Sequence, residues 1–198
     1  MLAGARTRVE AAGLSDRITL VEGGAEQLPF PDGSFDTVVC QFGVMFFPDR
    51  PKAFAEVRRV LQPGGTFIFN VWDRISENEF TDVATAALVP LFPADPPRFM
   101  ARTPHGYHDK DAIARDLAAG GFRAAPEITT VEARSRAASA RDVAVAICQG
   151  TPLRNEIETR DASRLGEATD AAEAAVASRF GRGAIEGKIQ AHVIVVVA

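Results

Sequence analysis

Between Asp36 and Trp72 the chain spells out a strand, an amphipathic helix and a second strand. Asp36–Gln41 is a mostly apolar run. Pro51 suits the first turn of a helix whose apolar side is Phe54, Val57, Val60 and Leu61. Pro63, Gly64 and Gly65 stop that helix, and Thr66–Trp72 is again apolar. Upstream, Ile18–Glu22 reads as a further strand. Gly23 and Gly24 turn the backbone at its end, and Pro29, Pro31 and Asp32-Gly33 exclude regular structure before Phe35. Strands alternating with helical patterns imply a parallel sheet with crossover connections. Such sheets bind ligands at the carboxyl ends of their strands. Those ends are Glu22-Gly23-Gly24, Cys40-Gln41-Phe42 and Trp72-Asp73, so candidate residues are sought there first.

The rest of the chain continues the pattern. Met1–Ala12 reads as a helix with Met1, Ala5, Val9 and Ala12 on one face, stopped by Gly13. Ser76 to Glu79 is a capping-box pattern opening a helix through Leu88. Pro90, Pro93, Pro96 and Pro97 form a stiff linker or lid. Asp109 caps a helix carrying Ile113 and Leu117, closed by Gly120-Gly121. Glu127–Arg134 is a strand, and Ser139 opens a helix through Val143 and Ile147. Pro152 starts a long helical stretch broken near Gly166, and Lys188–Val197 is the last strand. At 198 residues this is one domain with room for a sizeable core. A net charge of −4 favours neither nucleic acid nor an anionic membrane as partner. The final apolar run is far too short to span a bilayer. Two cysteines, Cys40 and Cys148, make neither a disulfide framework nor a zinc site, so a reduced, cytoplasmic setting is expected.

Three motifs in this order and spacing carry a resemblance. They are Leu28-Pro29-Phe30-Pro31-Asp32-Gly33-Ser34-Phe35-Asp36, Phe46-Phe47-Pro48-Asp49, and Leu61-Gln62-Pro63-Gly64-Gly65 before a strand. With them the chain resembles the class I S-adenosylmethionine-dependent methyltransferases of the small-molecule type (methyltransferase type 11). The resemblance implies an α/β, Rossmann-like sheet with helices on both faces, in a single domain over residues 1–198. Residues 74–110 would be an acceptor-side insertion or lid. It also implies a truncated N-terminus: Met1 stands where a family member has about 50–70 residues behind it. Those residues would hold the family's glycine-rich cofactor loop.

The implied activity is methyl transfer from S-adenosylmethionine to a small molecule, impaired in this form. Methyl transfer from a sulfonium is an in-line displacement that needs alignment and exclusion of water, so no catalytic residue is assigned. By resemblance, Gly24, Ala25 and Glu26 meet the adenine. Gly24 replaces the usual acidic residue, leaving Glu26 as a substitute acceptor; the alternative is a plain turn. By the same resemblance Cys40, Gln41 and Phe42 face the methionine part. Phe42 and Phe46 lie against cofactor or acceptor, where an aromatic face tolerates a sulfonium, or else are core. Cys40 reads as a small buried residue. Trp72 and Asp73, with Tyr107, border the acceptor pocket. His105 and His108 lack companion ligands at metal spacing, so no metal is expected. Gly181, Gly183 and Gly187 imitate a dinucleotide loop but precede a strand, the wrong order for one.

The competing function is a non-catalytic remnant serving as a partner-binding or structural module. The sheet supplies a further expectation. The family orders its strands third, second, first, fourth, fifth, seventh, sixth. With the first two missing, Ile18–Glu22 and Asp36–Gln41 would stand about 14 Å apart. Direct pairing of the two is favoured over an open edge or a homo-oligomer covering that edge, and Val38 and Val39 are expected to be buried either way.

Overall fold

The computed structural model describes residues 2–198. The elements run α1 (Leu2–Ala11), β1 (Phe35–Gln41), α2 (Arg50–Val60), β2 (Leu61–Trp72), α3 (Glu79–Ala86) and α4 (Phe99–Arg102). They continue α5 (Lys110–Ala119), β3 (Glu127–Ala137), α6 (Ala140–Cys148), α7 (Leu153–Asp161), α8 (Leu165–Phe180) and β4 (Ile185–Val197). One four-stranded sheet has the order β1-β2-β4-β3. β1 and β2 are parallel, with Val39 opposite Ile68 and Gln41 opposite Asn70. β4 is antiparallel to both neighbours. This is the fourth, fifth, seventh, sixth part of the expected order, with helices on both faces.

The crossover forms because each piece of α2 has a local reason. The Asp49 side chain accepts from the Lys52 N–H at the open first turn, and Pro51 sits where no N–H is needed. Phe54, Val57 and Val60 then fall on one stripe and are buried. Strand alternation sends Phe67, Phe69 and Val71, with Ile194 and Val196, toward α2 and α5. Phe67 and Phe69 stack at 4.7 Å, and Phe54 meets Phe69 at 5.5 Å. Each fully buried ring contributes about 1.5–3 kcal/mol. On the opposite face, α3, α6, α7 and α8 gather a second core around Leu88, Leu153, Ile157 and Val176. That core covers the Ile185 end of β4 and leaves the face next to β1 open. Val39 there is 65% exposed and Val197 45%.

Several expectations change. Ile18–Glu22 forms no strand, and its direct pairing with β1 does not occur. An extended segment with no neighbour gains no ladder hydrogen bonds, and Ile18 and Val21 stay exposed. Val39 is not buried, because its side chain is on the open face; Val38, on the α2 side, is half-buried. α1 buries none of its described residues; Met1 lies outside them. The helix expected from Ser76 begins at Glu79, after a 3-10 turn at Ile75–Glu77. Asn78 caps it by position only, because its side chain is used elsewhere. The break in the long helical stretch falls at Ala162–Arg164, before Gly166.

Candidate functional site at the strand ends

The chain leaves β1 through Phe42, whose φ of 50° makes it the one non-glycine residue with positive φ among the described residues. That conformation costs an L-residue about 1–2 kcal/mol. It is held by a hydrogen bond from the Phe42 N–H to the Asn70 side-chain oxygen, 2.9 Å. The Phe42 ring stacks on Trp72, centroids 4.1 Å apart and planes 17° from parallel. Strain held at a strand end marks functional positions. Gln41 is exposed on the open face and Phe42 half-buried. Cys40 points to the α2 side, where a Cβ on Gly43 would come within 2.7 Å of its sulfur. Burial pushes its thiol pKa up, so it is a packed side chain rather than a nucleophile.

The Gly24–Glu26 turn is docked on α2. Glu26 accepts from the Asp49 N–H at 3.0 Å and lies 3.8 Å from Lys52, as suits a carboxylate at a helix N-terminus. Its carboxylate is therefore engaged, which weakens the expected substitute role toward adenine. Beyond the Gly24 α-carbon the space is open. Farther along, Glu56 accepts from the Leu28 N–H, and Arg59 donates to the Phe30 and Leu28 carbonyls. Together these fix the loop that follows.

Past Trp72, Asp73 is a buried junction. Its carboxylate accepts from the Gln190 amide at 2.6 Å and the Arg74 N–H at 2.6 Å, and His192 Nε2 stands 3.4 Å away. Burial opposes the charge, but these donors and the nearby cations outweigh it and hold the carboxyl below its ordinary value. Asn78 donates to the Asp73, Arg74 and Gln190 carbonyls and accepts from the Gln190 N–H, stitching the end of β2 to β4. His105 Nδ1 lies 2.9 Å from the Asp73 carbonyl and so donates to it. Its ring centroid is 6.2 Å from that of Trp72. Burial lowers the pKa of His105, keeping the ring neutral at pH 7. A polar cavity of about 520 Å3 opens beside Asp73, with His108, Lys110, Thr130 and His192 on its walls.

Tyr107 is buried in the core that Trp72 borders, and its hydroxyl donates to Asp116 at 2.7 Å. The Arg50 guanidinium lies over its ring at 4.1 Å. Phe46 is 52% exposed, so the core alternative does not hold for it. The Pro90–Pro97 stretch is tied down elsewhere. Phe92 packs into the α3/α6/α8 core, the Asp95 carbonyl accepts from Arg160, and Glu156 of α7 accepts from the Arg98 and Phe99 N–H groups. No group of histidine, cysteine and carboxylate side chains among the described residues is placed to hold a metal ion, and no helix there is long and apolar enough to cross a membrane.

Sequence reasoning missed Asn70, Asn78, Gln190 and His192. Asn70 and His192 carried a signal, being polar residues inside apolar strand runs, where a buried polar group needs a partner. Nothing local marked Asn78 or Gln190, whose partners are distant in sequence.

Comparison with known proteins bears on this strand-end arrangement. Residues 1–69 match the family described as methyltransferase domain. Over 68 residues the chain is 46% identical to the ubiquinone/menaquinone biosynthesis C-methyltransferase UbiE of Brucella anthropi. It is 50% identical over 68 residues to the demethylmenaquinone methyltransferase of Thermus thermophilus. The match takes in 34% of this chain but 26% and 30% of those relatives, so the chain covers under a third of their length. The YcgJ protein of Bacillus subtilis is similar in fold, with a TM-score of 0.58 at 18% identity over 98% of this chain and 76% of that one. A phosphoethanolamine N-methyltransferase of Haemonchus contortus, solved with S-adenosylhomocysteine, gives 0.53 at 18% identity, over 100% of this chain and 41% of its own. At these identities the likeness is one of fold.

Proposed function

We propose, from a class I methyltransferase fold whose N-terminal third matches the methyltransferase domain family, that the chain serves S-adenosylmethionine-dependent methyl transfer to a small-molecule acceptor. The observation that carries this is the strained, stacked Phe42–Trp72 pair at the carboxyl ends of two parallel strands. When bound, the cofactor supplies the activated methyl group on a sulfonium. The chain's own residues contribute apolar walls and alignment. The aromatic faces of Phe42 and Trp72 suit a sulfonium charge without hydrogen-bonding to it. The Gln41 backbone and the exposed side of Phe42 offer the methionine end a place, and open space at Gly24 lets a base approach the backbone. Trp72 borders the acceptor side, with buried His105 behind it and Tyr107 in the core beyond.

These residues fit one side of such a cofactor. Among the described residues no strand followed by a glycine-rich loop supplies the other side, so this chain alone binds cofactor weakly and acts in impaired form. A second reading, a partner-binding module, draws on the open edge of β1 beside exposed Val39. Calorimetric titration with S-adenosylmethionine and S-adenosylhomocysteine separates them. The expected dissociation constant is weaker than about 100 μM, about −5.5 kcal/mol, and Phe42→Ala abolishes binding. Low-micromolar binding would overturn the weak-binding proposal. No heat at millimolar cofactor would favour the module.

A further inference from the structure

A second cavity, of about 470 Å3, lies in the seam between the helical lobe and the antiparallel β3–β4 pair, on the sheet face opposite the polar cavity. Phe80 of α3, Val143, Ala146 and Ile147 of α6, Ala137 of β3 and Ile189 of β4 make its apolar walls. The walls are fixed. Phe80 meets Phe180 edge-to-face at 5.0 Å and packs so tightly on Gly187 that a Cβ there would come within 3.0 Å of its ring. Asn78, at the inner end, has both its amide oxygen and its amide nitrogen engaged with backbone groups.

The rim carries two charges, Arg136 and Asp142, of which only Arg136 is ion-paired. Arg136 pairs with Glu186 at 3.1 Å, and the Asp142 carboxylate accepts from the Ser139 hydroxyl at 2.8 Å. Two rim hydroxyls, those of Thr81 and Ser135, have no hydrogen-bond partner among the described residues. A concave site of this volume with apolar walls and a few polar groups is the form that small-molecule pockets take. An anionic ligand would find the one rim cation already paired and would meet the Asp142 carboxylate, and any charged ligand would lose hydration against the apolar walls. We infer that this seam is a binding site for a neutral, mainly hydrocarbon molecule of one or two rings bearing a single hydroxyl or carbonyl, with Thr81 and Ser135 recognising the oxygen. The inference stands apart from methyl transfer, since no strand-end residue that would meet the cofactor lines the seam.

The test is fluorescence titration of the full chain with neutral N-phenyl-1-naphthylamine, followed by competition with 1-naphthol and with naphthalene. Saturable one-site binding is expected, with 1-naphthol competing at least several-fold better than naphthalene. Ala146→Trp places a ring over the cavity from an exposed helix position. It should weaken probe binding at least ten-fold without moving the unfolding temperature. The pair Thr81→Val and Ser135→Ala should keep probe binding and erase the preference for 1-naphthol. Val39→Lys, on the open sheet face, serves as the control and should change neither. The inference is overturned by non-saturable binding, by an unchanged affinity in Ala146→Trp, by loss of binding in Val39→Lys, or by tighter binding of an anionic naphthalene sulfonate than of the neutral probe. None of these outcomes depends on cofactor binding.

Discussion

Glu56→Gln tests how the loop after the Gly24–Glu26 turn is held over α2. In the native chain the Glu56 carboxylate accepts from the Leu28 N–H and from Arg59 Nε and Nη2, all at 2.8 Å. Arg59 passes the attachment on to the Phe30 carbonyl and Asp32. The Arg59 hydrogen bonds are the main cause that holds Glu56 at about 2, against an ordinary 4.5. A carboxyl depressed in the folded state contributes stability that is complete above pH 4.5 and lost as pH falls toward 2. Full linkage over that interval is about 3 kcal/mol. Asp32 is 81% exposed and Arg59 31%, so water screens the network. The discounted contribution is about 1–1.5 kcal/mol. Urea denaturation of both proteins at pH 7 should therefore differ by that amount. By pH 3 the gap should shrink to less than half, as the native carboxyl alone loses its advantage. A gap that stays constant from pH 7 to pH 3 would refute the reasoning, since the glutamine cannot titrate.

Further substitutions separate core from site. Phe67→Ala and Phe69→Ala remove fully buried rings and should each cost about 3–5 kcal/mol of unfolding free energy in urea. Phe42→Ala, half-buried and strained, should cost about 1–2 kcal/mol; a loss equal to that of Phe67→Ala would make it ordinary core. Val39→Lys should leave unfolding free energy within about 0.5 kcal/mol of the parent while suppressing any concentration-dependent association seen by sedimentation velocity. Destabilisation by several kcal/mol would mean that Val39 is covered in solution.

The parts of the fold legible in the sequence were those set by local chemistry. Pro51 announced α2, and Asp109 and Ser139 cap their helices through their side chains as their positions implied. The parts that were not legible depend on neighbours. Ile18–Glu22 has the composition of a strand, but a strand exists only against a partner, and β1 pairs on its other side with β2. Val39 matches Val38 in type, yet alternation turns it to the open face. Ser76 to Glu79 matched a capping box. However, Asn78 commits its side chain to the Asp73 and Arg74 carbonyls just past β2 and to the Gln190 carbonyl of β4, and the last of these is a long-range demand that no local pattern records. The same holds for the candidate site. Phe42 and Trp72 were placed by strand-end logic, whereas their support by Asn70 and the Asp73–Gln190–His192 junction arises only when β2 and β4 come together.

The sheet order has one more consequence, for synthesis. β4 comes after every other strand in the chain yet lies between β2 and β3. Until residues 185–197 leave the ribosome, the β1–β2 pair presents a bare hydrogen-bonding edge and the β3 residues have no strand to pair with. The helical lobe of α6–α8 is complete by then, since it precedes β4. Completing the sheet thus requires the apolar strand Ala191–Val197 to dock on β2 and to order β3 against its other edge. Contacts of such long sequence separation form slowly and leave partly built sheets open to mispairing. A nonsense change just before Ile185 would therefore leave the β1–β2 pair with a bare edge and residues 127–137 with no strand to pair with, rather than a slightly shortened domain.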